Sequence, residues 1–540
     1  MKKCDIITPE GTRDLLFAEC ELRREFEGKV RKEFEKKGYR EVMTPGIEFY
    51  DVFSMNEAYF PQESMYKSVD NKGRLLVNRP DSTIPIARLT ATKLKGYELP
   101  IRLYYAQKVY RQQQRFKGRS NEIMQMGVEH IGSASFESDL EILSLGIKSL
   151  ASCGFSNYRI EIGHIGIFKL LMKNLNVRDE DSLRIHGLIV SKNYAALEDE
   201  FVDYGEKREA EILKALPKLF GGSEVLKEAR ELFKNYDSDL DEMLDYLENI
   251  LKGLEEKGLS DSVIIDFGLV NQADYYTSLI FRGYISSVGE PVLSGGRYDN
   301  LFKDFGEDLP ATGFALNMDK IVDLFANQND RTEKNAKCLR IALTKGRLEK
   351  SIVKMLESKG YDTKNLQEKG RKLILPIPGT NIEVVLAKAP DVITYIENGV
   401  CDIGIVGKDT IMESGGTFYE VLDLGFGKCK FALAGEKGKD FYSGYKTKRI
   451  ATKYPNVAKS HFEKKGMDIE VIKIEGSVEL APLLDLADGI VDIVETGSTL
   501  KENGLEVIED VREVSARLIV NIASMKMKKK DIDSFIKAIQ

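Results

Sequence analysis

The chain has 540 residues, of which 42% are hydrophobic and 31% charged, which is too long for one core and apolar enough to bury several. A net charge of −7 argues against a broad nucleic-acid-binding surface. No run approaches the ~18 apolar residues of a membrane helix, and Asp5, Glu10 and Asp14 interrupt any early apolar segment of a secretory leader. The remaining class is a soluble, cytoplasmic globular protein of roughly two to four domains. Its six cysteines are scattered without a C-x-x-C pair, so they read as thiols in a reducing compartment. The four histidines are too far apart to show metal-site spacing.

Apolar residues at helical spacing (Leu15, Leu22, Phe26, Val30, Phe34) predict an amphipathic helix over 15–38. A strand broken at Pro45 follows, then strands over 74–78 and 101–110, a helix over 140–150 and a strand over 160–163. From about Gly166 to Gly258 the pattern becomes acidic and Leu-rich, which predicts a helical insertion between strands. Strands resume at 263–267, 279–281 and 284–286. A Gly-rich turn is expected at Ser294–Asp299, a strand at 312–316 and a helix from Asn317. Residues 327–337 are polar and aperiodic and read as a linker, giving regions 1–326 and 338–540. Beyond it, apolar runs at 339–343, 383–386, 402–406, 431–434, 449–452, 470–474 and 490–494 alternate with helical stretches, predicting α/β structure with largely parallel sheets. The Lys-rich tail (Lys526, Lys528–Lys530) reads as a solvated helix start.

The stretch Asp488–Gly504 carries the clearest local chemistry. An apolar strand ends in Glu495-Thr496-Gly497-Ser498-Thr499 before a helix start at Leu500. Hydroxyls, a flexible Gly and a helix N-terminus suit a phosphate, with Asp488 and Asp492 placed for sugar hydroxyls or a hard cation. From spacing alone, a simple N-capped turn is equally well supported.

Several motifs in the first ~325 residues occur in one order: Ile7–Asp14, Arg79-Pro-Asp-Ser-Thr83, Val109-Tyr-Arg111, Gln125–Glu129, Asp274-Tyr-Tyr-Thr277, Ser294-Gly-Gly-Arg-Tyr-Asp299 and Gly313-Phe-Ala-Leu316. This region is similar to the catalytic core of class II histidyl-tRNA synthetases, and the fold implied is an antiparallel sheet with helices. The resemblance implies a histidine pocket: Asp81, Thr83 and Gln125 for the ammonium, Glu129, Tyr276 and Tyr298 for the imidazole, with Arg111 and Tyr275 beside them. Carboxylates and an amide oxygen are the right acceptors for these groups. Three positions depart from the synthetase pattern. Asn271-Gln-Ala stands where a catalytic Arg is expected, Gln113 where a Glu is expected, and Lys320 where the motif-3 Arg is expected. Adenylate formation needs fixed cations at the α-phosphate, and Lys does not replace a stacked Arg. With no anticodon-binding region after the linker, the pattern looks like the regulatory subunit of short-form ATP phosphoribosyltransferase, with no role for tRNA.

Residues 338–540 carry Thr344–Leu348, Gly370–Leu373, Asp391–Gly399, Asp402–Asp409, Arg449–Pro455 and Glu479-Leu-Ala-Pro482. With Asp488–Gly504 they resemble the short-form catalytic subunit of the same enzyme family, without the extra regulatory domain of long forms. The resemblance implies a two-lobed α/β unit like type II periplasmic binding proteins, with the active site in the cleft. It also implies a glycosyltransferase reaction in which N1 of ATP attacks C1 of phosphoribosyl pyrophosphate (PRPP) and expels pyrophosphate, the first step of histidine biosynthesis. A purine nitrogen is already nucleophilic, so alignment and charge stabilisation dominate. Arg347, Arg371 and Lys345 are the expected phosphate-contacting cations, with Lys388 in place of a family Arg. Thr496, Gly497, Ser498 and Thr499 would take the 5′-phosphate of PRPP, Glu495 would belong to the same PRPP site, and Asp492 with Glu479 would take the ribose hydroxyls. Mg²⁺ would travel with the substrate phosphates, not in a protein cage.

The combined expectation is a fused enzyme, histidine-sensing and transferase parts on one chain, with L-histidine as allosteric inhibitor and a homotetramer plausible. Two other readings stay open at this level. An active synthetase would show histidine-driven ATP–pyrophosphate exchange. A binding protein built on the two-lobed fold would hold ATP and PRPP without releasing pyrophosphate.

Overall fold

The computed structural model describes residues 6–55, 60–113, 118–205, 207–270, 275–286, 288–326, 338–495 and 497–540. The chain divides into two units, Met1–Ala336 and Lys337–Gln540. The segment read as a linker, 327–337, lies outside the described residues.

In the first unit the expected amphipathic helix is Ala18–Lys36, and its Phe26, Val30 and Phe34 form the buried stripe. The central sheet has nine strands, in spatial order Arg40–Glu41, Ile101–Tyr110, Glu122–Ile131, Ala311–Asn317, Leu293–Arg297, Leu279–Ile285, Tyr158–His164, Val263–Asp266 and Phe220–Gly221. Its pairings are antiparallel except Arg40–Glu41 on Ile101–Tyr110 and Tyr158–His164 on Val263–Asp266, which are parallel. The helix Phe136–Ser152 buries one long apolar face.

Residues 165–256 are helical, as their periodicity predicts, but do not stand apart. Phe220–Gly221 adds an edge strand to the main sheet, and the helices' apolar residues join the same core. Two expectations need correction. Residues 279–285 form one continuous strand, because Arg282 and Gly283 keep their ladder partners Glu161 and Ile160. The Gly-rich stretch expected as a turn is the strand Leu293–Arg297. Gly295 and Gly296 sit in it because a Cβ at either position would run into the backbone of a neighbouring strand.

The second unit holds two sheets. Six strands are ordered Ile374–Pro376, Ile382–Ala387, Leu339–Thr344, Ile403–Gly407, Ala516–Val520 and Tyr419–Asp423, and five are ordered Ile469–Lys473, Lys448–Thr452, Gly489–Val494, Cys429–Glu436 and Leu505–Val514. Both sheets are mixed, not largely parallel. Parallel strands such as Leu339–Thr344 and Ile382–Ala387 share their sheets with antiparallel ones, among them Leu505–Val514 and Ala516–Val520, which lie outside the apolar runs picked out in the sequence. Each sheet has its own core.

The chain passes between the sheets twice, through residues 424–428 and through Ser515 alone. The two crossings are tied together: Ala516 N donates to Phe426 O at 2.9 Å, Leu424 N to Ala516 O at 3.0 Å, and Ser515 Oγ to Asp423 Oδ1 at 2.8 Å. The Lys-rich tail also departs from expectation. Lys526 is buried beside the Tyr419 ring, and Lys528 Nζ donates to Asp402 Oδ2 at 2.9 Å, so the stretch docks a helix end instead of being solvated. Among the described residues no helix is long and apolar enough to cross a membrane.

Candidate functional site

The first unit encloses a cavity of about 590 Å³ whose lining includes Asp81, Thr83, Arg111, Gln125, Glu129, Tyr275, Tyr276 and Tyr298. The sequence-predicted histidine-site residues therefore converge on one space. Asp81 and Thr83 come from the start of the helix Thr83–Lys93, and Gln125 and Glu129 from one face of the strand Glu122–Ile131. Tyr298 follows the strand Leu293–Arg297 directly.

Glu129 lies opposite Gly313 in the sheet register, and a Cβ at Gly313 would collide with its carboxylate and lie 3.0 Å from the Tyr298 hydroxyl. The Gly313-Phe-Ala-Leu motif thus leaves room for a carboxyl group in the sheet. Glu129 accepts from Thr83 Oγ1 at 2.7 Å and from the Tyr298 hydroxyl. Burial pushes its pKa up to about 8, against the lowering effect of these two donors. Burial likewise raises Asp81, which Arg111 opposes. Gln125 Oε1 is buried with no hydrogen-bond partner among the described residues, an acceptor facing the cavity. Two protonatable carboxyls, an unused amide oxygen and three phenols make a site for a compact cation with several N–H donors.

Lys320 and Gln113 also line this cavity. Lys320 pairs with Glu290 at 2.6 Å, and burial lowers its pKa. Glu290 gave no sequence signal. Asn271, the third departure from the synthetase pattern, lies outside the described residues.

In the second unit Glu479, Asp492, Glu495, Gly497, Ser498 and Thr499 line a cavity of about 320 Å³ in the five-stranded lobe. Thr496 lies outside the described residues. Gly497 has φ +72°, a left-handed conformation that turns the chain into the short helix Ser498–Glu502. Asp492, on the strand Gly489–Val494, is raised by burial and by the neighbouring Glu479 charge. Asp492 faces Ala432 in the register, and the small side chains of Ala432 and Ala434 leave the space above the strand open. Asp488 does not join the site: its Oδ2 accepts from Arg449 N at 2.8 Å.

Among the expected cations, Arg347 opens the helix Arg347–Ser358 of the six-stranded lobe and forms an ion pair with Glu495. Arg371 is exposed near the same helix end, two residues beyond Lys369, which pairs with Glu349. Lys345 and Lys388 are exposed too, and neither Arg371, Lys345 nor Lys388 lines the 320 Å³ cavity. A second cavity, of about 330 Å³, shares Val494 and Glu495 with the first and reaches Lys428, Lys430, Glu513 and Arg517 at the crossings. Sequence reading missed these residues, because strands far apart in the chain bring them together. Among the described residues no cluster of three or more His, Cys, Asp or Glu could hold a metal ion.

Comparison with known proteins separates the same two regions. The histidyl-tRNA synthetase family model matches residues 11–321, and the ATP phosphoribosyltransferase model matches 388–540. The chain is 42% identical over 324 residues to an ATP phosphoribosyltransferase regulatory subunit of Clostridium botulinum, covering 59% of this chain and 76% of the relative. Over 202 residues it is 64% identical to an ATP phosphoribosyltransferase of Clostridium kluyveri, covering 37% of this chain and 92% of the relative. A solved ATP phosphoribosyltransferase regulatory subunit/histidyl-tRNA synthetase from Bacillus halodurans superposes with a TM-score of 0.55 at 28% identity, covering 71% of this chain and 93% of that one. The chain therefore belongs to the ATP phosphoribosyltransferase family, and it joins a histidyl-tRNA-synthetase-like regulatory part and a transferase part in one polypeptide.

Proposed function

We propose that the second unit condenses ATP and PRPP to phosphoribosyl-ATP and pyrophosphate, the first step of histidine biosynthesis in the cytoplasm, and that the first unit adjusts this reaction to histidine. The observation that carries the transferase reading is the convergence of Glu479, Asp492, Gly497, Ser498 and Thr499 on one cavity, with Arg347 reaching its edge from the other lobe. The loop would hold the ribose 5-phosphate, and Asp492 and Glu479 the ribose hydroxyls. Arg347, with Arg371 and Lys345 behind it, would stabilise the charge that builds on the departing pyrophosphate. The two linked sheets are consistent with the type II periplasmic-binding-protein architecture, in which ligands sit between lobes. Mg²⁺ enters as the counter-ion of the ATP and PRPP phosphates.

In the first unit Glu129, Tyr276 and Tyr298 would hold the imidazole of histidine, and Asp81, Thr83 and Gln125 its ammonium. Lys320 is held by Glu290 at 2.6 Å, which supports loss of aminoacyl-adenylate chemistry and of any part for tRNA. Assembly through copies of both units would give a homotetramer. The test is formation of phosphoribosyl-ATP from ATP and PRPP, followed by mass, with and without histidine. Product formation that histidine suppresses is expected. Histidine-driven ATP–pyrophosphate exchange, or substrate binding without turnover, would overturn the proposal.

A further inference from the structure

The phosphate loop contains one residue that its proposed ligand should repel. Glu495 stands at the loop entrance, lines both the 320 Å³ and the 330 Å³ cavity, and puts a carboxylate where two highly charged substrates must pass. Its partner is Arg347, from the other lobe, so the pair crosses the cleft. Among the described residues no other carboxylate pairs with Arg347. The two side chains are 65% and 57% exposed, so the pair is loosely held and exchangeable. Carboxylate and phosphate can each offer a guanidinium two oxygens, but pyrophosphate carries more charge, so it displaces Glu495 from Arg347 on entry.

We infer that Glu495 is a built-in stand-in for pyrophosphate. It keeps Arg347 aimed across the empty cleft, yields it when PRPP arrives, and competes for it again as pyrophosphate departs. This rests on the transferase reading of the second unit. Glu495 acts through Arg347, so it is a positioning residue whose effect falls on product release. It makes the cation available to the transition state without letting the enzyme retain its product.

The experiment is product inhibition by pyrophosphate in the full-length protein, with a double-mutant cycle. E495Q is expected to tighten pyrophosphate inhibition roughly two- to fivefold, the scale of an exposed ion pair, and to lower kcat while lowering the PRPP KM. In the R347Q background, which lacks the proposed catalytic cation and is therefore read by calorimetric binding of pyrophosphate, the same change is expected to leave pyrophosphate affinity unaltered, because the contested cation is gone. E495D keeps the charge and should restore wild-type behaviour. Unchanged pyrophosphate inhibition in E495Q, with wild type active, would overturn the inference. So would an equal effect in the R347Q background, which would make Glu495 a general source of repulsion. A wild-type protein without PRPP-dependent turnover would instead refute the transferase reading on which the inference stands.

Discussion

Glu129 sets the electrostatics of the cavity in the first unit. Its folded pKa of about 8 lies above the ordinary carboxyl value, so the folded protein holds this proton more tightly than the unfolded chain does. The resulting stability is fully present below about pH 4 and is lost as pH rises through about 8. Thermal unfolding of ligand-free protein should therefore show a steeper loss of stability over this window in wild type than in E129Q. A cationic ligand reverses the preference by favouring the carboxylate. With the imidazole bound in its neutral form, histidine binding near pH 7 should release the Glu129 proton to solvent, seen by calorimetry in buffers of different ionisation enthalpy, and E129Q should abolish that release. Glu129→Ala should weaken histidine binding by about 10- to 100-fold, the cost of a charge-assisted hydrogen bond. The names of the pocket residues were legible because each falls in a local motif. The burial that perturbs Glu129 was not, since it arises where Gly313 and Tyr298 return to the strand from far along the chain.

Long elements carry the first cavity, the strand Glu122–Ile131 and the helix Thr83–Lys93, whereas a short turn shapes the second. Gly497 leads the chain into the helix Ser498–Glu502 at φ +72°, and Gly497→Ala should cost about 1–2 kcal/mol in that conformation. If the strain is spent in the loop, the PRPP KM should rise roughly tenfold while the ATP KM holds, a split that steady-state kinetics would show. The loop was readable because strand, Gly, hydroxyls and helix start are contiguous. Neighbouring features misled for a physical reason: two consecutive glycines usually signal a turn, yet Gly295 and Gly296 serve a crowded strand. Four lysines within five residues usually signal a solvated surface, yet Lys526 is buried and Lys528 is bound to Asp402. In each case the deciding contact came from a segment that local pattern does not reveal.

At the scale of the molecule, a regulatory part and a transferase part share one chain, so any coupling between ligands of the two must be reciprocal. If saturating histidine weakens PRPP binding by some factor, saturating PRPP must weaken histidine binding by the same factor. Paired calorimetric titrations would check this equality, and a mismatch would mean that histidine acts on a kinetic step, not on binding. The mixed sheets were not legible, because the strands Leu505–Val514 and Ala516–Val520, on either side of Ser515, lie beyond the last apolar run that the pattern picks out, 490–494. That single-residue return has a consequence for how the protein is made. The strand Ala516–Val520 lies between Ile403–Gly407 and Tyr419–Asp423, so the six-stranded lobe receives an interior member only at the end of synthesis. On the ribosome the five-stranded lobe, continuous in sequence, has all its strands first, and the lobe begun earlier must wait with a gap in its middle. A nascent chain stopped near residue 515 would carry a complete second lobe and an unfinished first one, an exposed sheet interior that quality-control proteases would recognise.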